Sequence, residues 1–303
     1  MINKLISQIL PHMPEKLIWQ FSKEYIAGKT TEQALETSRE LNRNNTMVTL
    51  DILGEFIENM DQAKDNRDQY IDLINTLEAT DVKGNYSIKP TMFGLLLDKK
   101  ACSDYMRDIV ATAAEYDNFV RIDMENSPTV DDTIEIFRRI KTEFPKNVGL
   151  VLQAYLKRTR SDIEAMLDLK SDDADLNFRL CKGIYVESPA IAYKKYEEIN
   201  AHYLEDLEFM FQNGIYPGIA THDKPLIEGA LKLIQKYNIP KDRYEFQMLY
   251  GVTPKQRQDL ADAGHKVRVY VPFGEHWFGY STRRLKENPA MVTHIVKALF
   301  AKG

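Results

Sequence analysis

The sequence predicts an α/β protein built as one (β/α)8 barrel of the TIM type. Eight short runs of β-forming residues recur along the chain from residue 46, and amphipathic helical stretches separate them. Strands that alternate with helices pair in parallel through right-handed crossovers. Eight units of about 30 residues fit a closed barrel better than an open doubly wound sheet. No GxGxxG fingerprint follows any of the runs, which argues against a Rossmann domain.

The predicted elements follow one another in a regular order. The eight strands are expected at Thr46–Leu53, Asn85–Met92, Phe119–Glu125, Val148–Tyr155, Phe178–Tyr185, Pro217–His222, Tyr244–Tyr250 and Lys266–Phe273. The clearest helical patterns between them are Asp131–Phe144, Ser161–Leu169, Ile191–Gln212, Lys224–Tyr237 and Thr253–Ala263. These patterns are amphipathic, as expected for helices that pack one face on the sheet.

The first 45 residues show a different pattern. Apolar residues between Leu17 and Tyr25 recur at spacings of three and four, and Thr31–Asn42 is a second amphipathic stretch. We therefore expect an N-terminal helical cap over residues 1–45 that packs on the barrel. The barrel itself, with the catalytic site, is expected over residues 46–303.

The composition is that of an ordinary globular protein, because 44% of the 303 residues are hydrophobic and 28% are charged. The net charge of -5 argues against nucleic acid as the main partner. No apolar run is long enough to span a membrane, and the first ten residues do not resemble a secretory signal. The two cysteines, Cys102 and Cys181, are expected to be reduced and buried, which favours a cytoplasmic protein.

Polar side chains are concentrated where the predicted strands end. The active site of a barrel gathers at the carboxyl ends of its strands. One such residue alone could belong to a buried structural ion pair. The accumulation is harder to explain in that way, since barrel interiors are usually filled by Val, Ile and Leu. The residues are Asp51, Lys89, Asp123, Glu125, Gln153, Arg179, Lys182, Tyr185, Thr221, His222, Asp223, Gln247, Tyr250, Arg268 and Tyr270.

The segment after the eighth predicted strand carries an unusual helical stripe. Its members at i, i+3, i+4 and i+7 are Tyr280, Arg283, Arg284 and Glu287. On an ordinary barrel helix this stripe is apolar and buried against the sheet. A solvated face is one interpretation. The other is a last helix that crosses the barrel mouth, with paired guanidinium groups that bind a carboxylate or phosphate bidentately.

Five strings in order along the chain resemble the proline dehydrogenase family, especially its monofunctional bacterial members. The resemblance extends from about residue 46 to residue 290. The strings are Arg-Ile-Asp-Met-Glu-Asn (121–126), Arg-Leu-Cys-Lys-Gly-Ile-Tyr (179–185), Ala-Thr-His-Asp (220–223), Glu-Phe-Gln-Met-Leu-Tyr-Gly (245–251) and Tyr-Ser-Thr-Arg-Arg-Leu-Lys-Glu-Asn (280–288).

The resemblance implies a (β/α)8 flavoenzyme that holds FAD and oxidises L-proline to Δ1-pyrroline-5-carboxylate. On the substrate side it implies that Lys89, Arg283 and Arg284 bind the proline carboxylate. Tyr270 and Leu249 would pack on the pyrrolidine ring. The remaining substrate-side residues it implies are Asp123 in the charge network, Tyr280 in the pocket wall and Glu287 beside the two arginines.

On the flavin side the resemblance implies a second set of contacts. They are Gln153, Arg179, Lys182, Gly183, Tyr185, Thr221, His222 and Gln247. Two departures from the family pattern stand in this region. Asp223 occupies a position where the family more often has Asn, and the stretch from Tyr185 to His202 aligns poorly, with only Lys195 assigned to the cofactor.

The chemistry expected of such a site is hydride transfer from the carbon beside the proline nitrogen. No general base is obvious among the residues, so the amine need only bind or become neutral. A cluster of cations around it would favour the neutral form. We expect the pH dependence of turnover to change when Lys89 is replaced.

Three other functions remain open from the residues alone. A Schiff-base aldolase could use Lys89 or Lys182, although neither lies in a clearly apolar pocket. A metal-dependent hydrolase has only His222 with Asp223 as candidate ligands, so no metal is expected. A barrel that binds an amino acid without turnover is the third. For the dehydrogenase, the resemblance implies membrane quinone as electron acceptor, a position at the inner face of the membrane, and a functional link to pyrroline-5-carboxylate dehydrogenase.

Overall fold

The structure, a computed structural model, describes residues 18–19, 22–54, 57–171 and 174–281. Its eight strands form a closed parallel barrel in which each strand pairs with the next along the chain and β8 pairs with β1. The predicted fold class is therefore confirmed. The strands are β1 (Met47–Ile52), β2 (Gly84–Ile88), β3 (Val120–Ile122), β4 (Val148–Gln153), β5 (Asn177–Cys181), β6 (Tyr216–Ala220), β7 (Glu245–Leu249) and β8 (Val267–Phe273).

Helices connect the strands around the outside of the barrel. The α-helices are α1 (Thr31–Arg43), α2 (Met60–Glu78), α3 (Lys99–Glu115), α4 (Val130–Glu143), α5 (Thr159–Ala165), α6 (Tyr196–Gln212), α7 (Lys224–Lys236) and α8 (Pro254–Asp262). Short 3-10 helices lie at Pro90–Phe93, Ser127–Thr129 and Leu167–Leu169. None of the described helices is long and apolar enough to cross a membrane.

The main differences from the predicted bounds lie at the carboxyl ends of the strands. The second strand stops at Ile88 because Pro90, which has no N–H, opens a 3-10 helix. The fifth stops at Cys181, just before Gly183 turns the chain with a φ of 105°.

One helix also differs from its predicted bounds, because the helix expected from Ile191 begins only at Tyr196. The chain ahead of it is hydrogen-bonded instead to the loop after β4, where Tyr193 N–H donates to the Tyr155 carbonyl.

The apolar core lies between the strands and the helices, whereas the barrel interior is polar. Outward residues such as Val48, Leu50 and Ile122 are fully buried under the helices.

The inward-facing residues can be identified from the register of the strands, because register partners in a parallel sheet share a face. Ser87, Arg121 and Gly149 are register partners on β2, β3 and β4, and they face inward. Arg179, Gly218 and Glu245 are register partners in the same way on β5, β6 and β7. This barrel is therefore filled by hydrogen-bonded and charged groups in place of the usual branched apolar layers.

Glycine makes room for one of these interior charges. Arg121 is buried, and its Nη1 donates to the Asn177 carbonyl at 2.7 Å. A Cβ on Gly149 would lie 2.5 Å from that Nη1 and 2.6 Å from the Phe119 ring.

We expect Gly149→Ala to lower the free energy of unfolding by about 1–3 kcal/mol, the usual cost of overpacking. Urea denaturation of the purified variant measures this loss. Gly229→Ala is the control, because the three atoms nearest to a Cβ on Gly229 in α7 all belong to the flexible side chain of Leu204. The control should retain or slightly gain stability through helix propensity. Equal stability of Gly149→Ala and the unmodified protein would contradict this account of the interior.

Helix α1 packs against β1 and β8, where the ring of strands closes. The Thr30 side chain caps it by accepting a hydrogen bond from the Gln33 N–H. Just before the helix, Ala27 N–H donates to the Pro272 carbonyl and Gly28 accepts from Gly274 N–H. The described part of the N-terminal region is thus joined to the last strand. The division into a cap and a barrel at residue 45 stays a prediction.

Candidate active site

A cavity of about 430 Å³ opens at the carboxyl ends of the strands. Its size is typical of small-molecule sites. Apart from Lys195 and the strand-end residues Asp51, Tyr250 and Arg268, every predicted site residue that the structure describes lines it. On the predicted substrate side these are Lys89, Asp123, Leu249, Tyr270 and Tyr280; on the predicted flavin side they are Gln153, Arg179, Lys182, Gly183, Tyr185, Thr221, His222 and Gln247. Arg283, Arg284 and Glu287 lie outside the described residues.

Asp123 is the centre of the polar floor of this cavity. One carboxylate oxygen accepts hydrogen bonds from Ser87 Oγ at 2.6 Å and from Arg179 Nη1 at 2.8 Å. The other accepts from Tyr270 Oη at 2.9 Å and lies 3.5 Å from Lys89 Nζ. Burial alone would raise the pKa of Asp123, but the charges of Arg179 and Lys89 outweigh it and lower the pKa overall. The carboxylate is therefore ionised at neutral pH, and both of its oxygens accept hydrogen bonds.

Lys89 lies directly after β2 and connects two carboxylates to a phenol. Its Nζ donates to Asp51 Oδ1 at 2.6 Å and to Tyr270 Oη at 3.0 Å. The Asp51 side chain is completely buried. Burial raises the pKa of Tyr270 well above its ordinary value, so the phenol stays protonated and donates to Asp123. The lysine charge is thus held at one place on the cavity wall.

Two members of this cluster have no role predicted from the sequence. Asp51 was recognised as a polar strand-end residue, but its pairing with Lys89 was not predicted. Ser87 was not singled out. Ser87 lies on β2, two residues before Lys89, and its side chain faces the same way. Its hydroxyl donates a hydrogen bond to Asp123 and accepts one from Arg179 Nη1 at 3.2 Å. Alternation along the strand was the signal that could have found it.

Arg179, on β5, is held from two sides. Its Nε donates to the Gln247 side-chain oxygen, and its Nη1 donates to Asp123. The guanidinium carbon lies 5.2 Å from the centre of the Tyr270 ring. Such contacts fix the plane of an arginine side chain and leave little freedom for it to reorient.

Lys182 and Asp223 form an ion pair at another part of the cavity wall. The Asp223 carboxylate also accepts hydrogen bonds from Tyr196 Oη at 2.9 Å and Asn200 Nδ2 at 3.3 Å. Burial raises the pKa of Asp223, but the hydrogen bonds from Lys182 and Tyr196 outweigh it and lower the pKa overall.

Lys195 is the one residue assigned to the cofactor between Tyr185 and His202. Its Nζ lies 3.6 Å from Glu198 Oε1, and its side chain is 75% exposed.

Two loops of the cavity are fixed through their backbone. His222 Nε2 accepts a hydrogen bond from the Leu249 N–H at 3.1 Å, and Nδ1 lies 3.3 Å from Thr253 Oγ1. A neutral ring that accepts at Nε2 carries its proton on Nδ1. Glu125 accepts from both the backbone and the hydroxyl of Thr91, while its carbonyl accepts from Gln153 Nε2 at 2.7 Å. These bonds position Leu249 and Gln153 on the cavity wall.

Residues 277–281 begin a helix after β8. Tyr280 is buried and lines the cavity, and Trp277 packs edge-to-face on Trp19 at 4.7 Å between ring centres. The predicted continuation of this helix across the mouth stays a prediction.

One strand-end prediction was wrong. Arg268 is the second residue of β8, so it lies near the amino end of that strand and not among the residues lining the cavity. It pairs there with Glu245 at 2.8 Å. Inward-facing residues at the two ends of a strand follow the same alternation, so the sequence does not distinguish the amino end from the carboxyl end.

Among the described residues, the two cysteines and the candidate metal ligands add no further reactive group to the cavity. Cys102 is buried, as predicted, whereas Cys181 is only half-buried and lines the cavity. Burial raises the pKa of Cys181 to about 11, so it is a thiol at neutral pH. Within the described ranges, no group of three or more His, Cys, Asp or Glu side chains could hold a metal ion.

The chain has clear relatives among known proteins. The family model described as proline dehydrogenase matches residues 34–297. Proline dehydrogenase 1 of Bacillus subtilis subsp. natto is 36% identical over 281 residues, which cover 93% of this chain and 91% of that protein. Proline dehydrogenase of Deinococcus radiodurans is 34% identical over 286 residues, with 93% and 91% covered.

A solved structure has the same fold. Proline utilization A (PutA) from Bdellovibrio bacteriovorus, inactivated by N-propargylglycine, superimposes with a TM-score of 0.83 at 27% identity. The match covers 89% of this chain and 33% of that chain, so this protein spans about a third of its length.

Proposed function

This chain belongs to the proline dehydrogenase family and oxidises proline, and on that premise we propose that FAD, held in the cavity at the barrel mouth, is its cofactor. The family is flavin-dependent. The observation that carries the proposal is the Asp123 cluster. It joins Lys89 and Tyr270, on the predicted substrate side, to Arg179, on the predicted flavin side, through one buried carboxylate.

The donor set of the cavity fits a flavin nucleotide. A flavin ring presents oxygen and nitrogen acceptors along one edge, and the pyrophosphate is anionic. The side chains of Gln153, Arg179 and Lys182 supply N–H donors along the wall, and Val151 and Met248 supply apolar surface. We propose that the flavin contacts are Gln153, Arg179, Lys182, Gly183, Tyr185, Thr221, His222 and Gln247.

The same cavity suits the shape and charge of L-proline. We propose that Lys89 binds the substrate carboxylate together with Arg283 and Arg284, whose assignment rests on the sequence. Tyr270 and Leu249 would pack on the pyrrolidine ring, with Tyr280 in the same wall. Asp123 would hold Lys89 and Tyr270 in place, and Glu287 would pair with the arginines.

When bound, FAD would supply a two-electron acceptor for the hydride on the carbon beside the proline nitrogen. The residues of this chain would do the positioning. Lys89 would fix the carboxylate, and Tyr270 would limit the ring to one orientation and keep water away. The positive charge of Lys89 would disfavour the ammonium form of the substrate and so promote the neutral amine that becomes the imine of Δ1-pyrroline-5-carboxylate.

The fate of the electrons and the product belongs to the same proposal. We propose that reduced flavin passes its electrons to membrane quinone, with the protein bound peripherally at the inner face of the membrane. The product would pass to a pyrroline-5-carboxylate dehydrogenase. Support for this link comes from the bifunctional protein PutA of Escherichia coli, in which the region similar to this chain covers 24% of the length at 26% identity.

A visible spectrum of the purified protein before and after anaerobic L-proline tests the cofactor. Flavin absorption that bleaches with proline is the expected result, and turnover with an artificial electron acceptor should follow. A colourless protein that takes up no FAD from solution would refute the proposal. Borohydride trapping of the substrate on Lys89 or Lys182 would favour the aldolase instead.

The Lys182–Asp223 pair leads to a prediction about cofactor affinity. Asp223→Asn removes a negative charge from the cavity wall and releases Lys182 for the anionic pyrophosphate. We expect FAD to bind up to about tenfold more tightly, a modest gain because the pair is partly exposed. Titration of apoprotein with FAD, followed by flavin fluorescence, measures the dissociation constant. Tyr196→Phe, which removes one hydrogen bond to Asp223 but no charge, is the control. Unchanged or weaker binding in Asp223→Asn would count against phosphate contact at Lys182.

A further inference from the structure

A chain of hydrogen bonds runs from the cavity floor down into the barrel. Arg179 Nε donates to the side-chain oxygen of Gln247. The Gln247 amide nitrogen donates to Glu245 Oε1 at 2.5 Å. Glu245 in turn accepts from Arg268 Nε at 2.8 Å and from Arg268 Nη2 at 3.1 Å. All four side chains point into the barrel, and the lower two are absent from the cavity lining.

Glu245 is an acceptor at every contact in this chain. It is buried, and burial would raise its pKa, but the charge and hydrogen bonds of Arg268 outweigh burial and lower the pKa overall. The ionised carboxylate therefore holds the NH2 end of the Gln247 amide below. This leaves the oxygen end of the same amide for Arg179 above.

The Gln247 side chain has little freedom to take another position. It is buried, and it lies across Gly218 on β6, where a Cβ would be 2.5 Å from its amide nitrogen. Removing its lower acceptor would leave a buried donor unsatisfied, and the amide would gain by turning or by drawing water into the barrel.

The position of Arg179 depends on this amide. Its described hydrogen bonds use Nε to Gln247 and Nη1 to Asp123 and Ser87. Nη2 is thus the nitrogen that remains for a ligand in the cavity. Two fixed anchors on Nε and Nη1 determine where Nη2 points.

We propose that Glu245 is a positioning residue that anchors Gln247, and through it Arg179, toward the bound flavin. This rests on the proposed function, in which Arg179 and Gln247 contact FAD. Glu245 does not line the cavity, so we expect its effect in cofactor binding and in kcat, while KM for proline changes little.

Two double variants isolate the acceptor. Glu245→Met with Arg268→Met removes both buried charges together and leaves Gln247 without its lower acceptor. Glu245→Gln with Arg268→Met has the same net charge and nearly the same packing, but restores a side-chain oxygen facing Gln247; its NH2 can donate to Tyr216 Oη, which lies 3.4 Å from Glu245 Oε2. The two proteins differ mainly in that one hydrogen bond.

We expect the Met/Met protein to bind FAD about tenfold more weakly, and its kcat to fall by a similar factor, as for one unsatisfied buried donor. KM for proline should stay within about twofold, because a change on the flavin side leaves ground-state binding of proline intact. The midpoint potential of the flavin should also shift. The Gln/Met protein should regain the FAD affinity and potential of the unmodified enzyme.

The proposal is overturned if the two double variants behave alike, since the Glu245–Arg268 pair would then serve stability alone. A single variant supplies a second test if the Met/Met protein does not fold. Glu245→Gln keeps an oxygen for Gln247 but sets an NH2 group against Arg268, so it should lose thermal stability and keep its FAD affinity. A folded Glu245→Gln protein with weakened FAD binding would also overturn the proposal. Absence of FAD uptake by the unmodified protein would instead refute the proposed cofactor.

Discussion

Asp123→Asn is expected to reduce kcat/KM for proline by about 10²–10³-fold, the usual cost of removing one preorganised electrostatic group from an active site. Asparagine has the same shape, but its NH2 group must replace one carboxylate oxygen. One oxygen accepts from Ser87 and Arg179, and the other accepts from Tyr270 beside Lys89. Either orientation sets a donor against donors. Steady-state kinetics with an artificial acceptor measures the loss.

Stability should fall in the same variant. Breaking a buried ion pair by removing one partner costs about 3–5 kcal/mol. Asp98→Asn is the control, because the Asp98 side chain accepts a backbone hydrogen bond from Ala101 at the start of α3, which asparagine can also accept. A stable and active Asp123→Asn protein would contradict the central place given to this carboxylate.

The stabilisation from Asp123 should depend on pH with a defined sign. Its folded pKa is lowered, so its contribution is fully present above the unfolded pKa of about 3.9 and is lost as pH falls through the folded value. Asp123→Asn has no such group. The difference in unfolding free energy between the two proteins, measured in urea at several pH values, should therefore shrink under acid conditions.

Lys89→Met is expected to raise KM for proline by about 10–100-fold, because one charge-assisted contact to the substrate carboxylate is lost. The variant also removes the Lys89 ammonium group that lies 2.6 Å from the fully buried Asp51 carboxylate, so stability should fall as well. FAD content should be retained, since Arg179 and Gln153 are untouched. Kinetics and a flavin spectrum separate the two effects.

The pH profile gives this second prediction a sharper test. Loss of the Lys89 charge makes the ammonium form of bound proline less unfavourable and raises the pKa of the amine in the complex. The acid limb of kcat should therefore move to higher pH in Lys89→Met. Lys89→Arg, which keeps the charge, should leave the limb in place. An identical limb in all three proteins would show that Lys89 does not control the amine.

Much of this arrangement could be predicted from local sequence. Each strand was found at its place because its outward residues are apolar, and the polar residues that follow the strands were expected at one end of the barrel. Lys89, Gln153 and His222 line the cavity for that reason. The position of a residue along its strand therefore predicts whether it lies at the cavity, without any knowledge of the side chains that it contacts.

Pairing across the barrel could not be predicted in this way. The bond from Lys89 to Asp51 and that from Lys182 to Asp223 depend on side-chain rotamers and on the tilt of strands far apart in sequence. Arg268 shows the same limit, since alternation places a charge inside the barrel without saying at which end. The helix begins at Tyr196 because the residues before it hydrogen-bond to another loop, a tertiary effect that helical periodicity does not contain.

The closure of the ring between β1 and β8 also concerns how the protein folds. Arg268 donates to the Val48 carbonyl across 220 residues of chain, and Lys89 meets Tyr270 across 181. Contacts between such distant segments carry the largest loop-closure entropy and slow the search for the native state. The Lys89–Tyr270 contact brings together segments near the two sides of this seam, so the substrate side of the cavity is complete only after the ring has closed. A ligand bound there selects the closed ring and raises the apparent stability of the whole molecule by mass action. Ligand binding at the site therefore indicates that the whole barrel has folded.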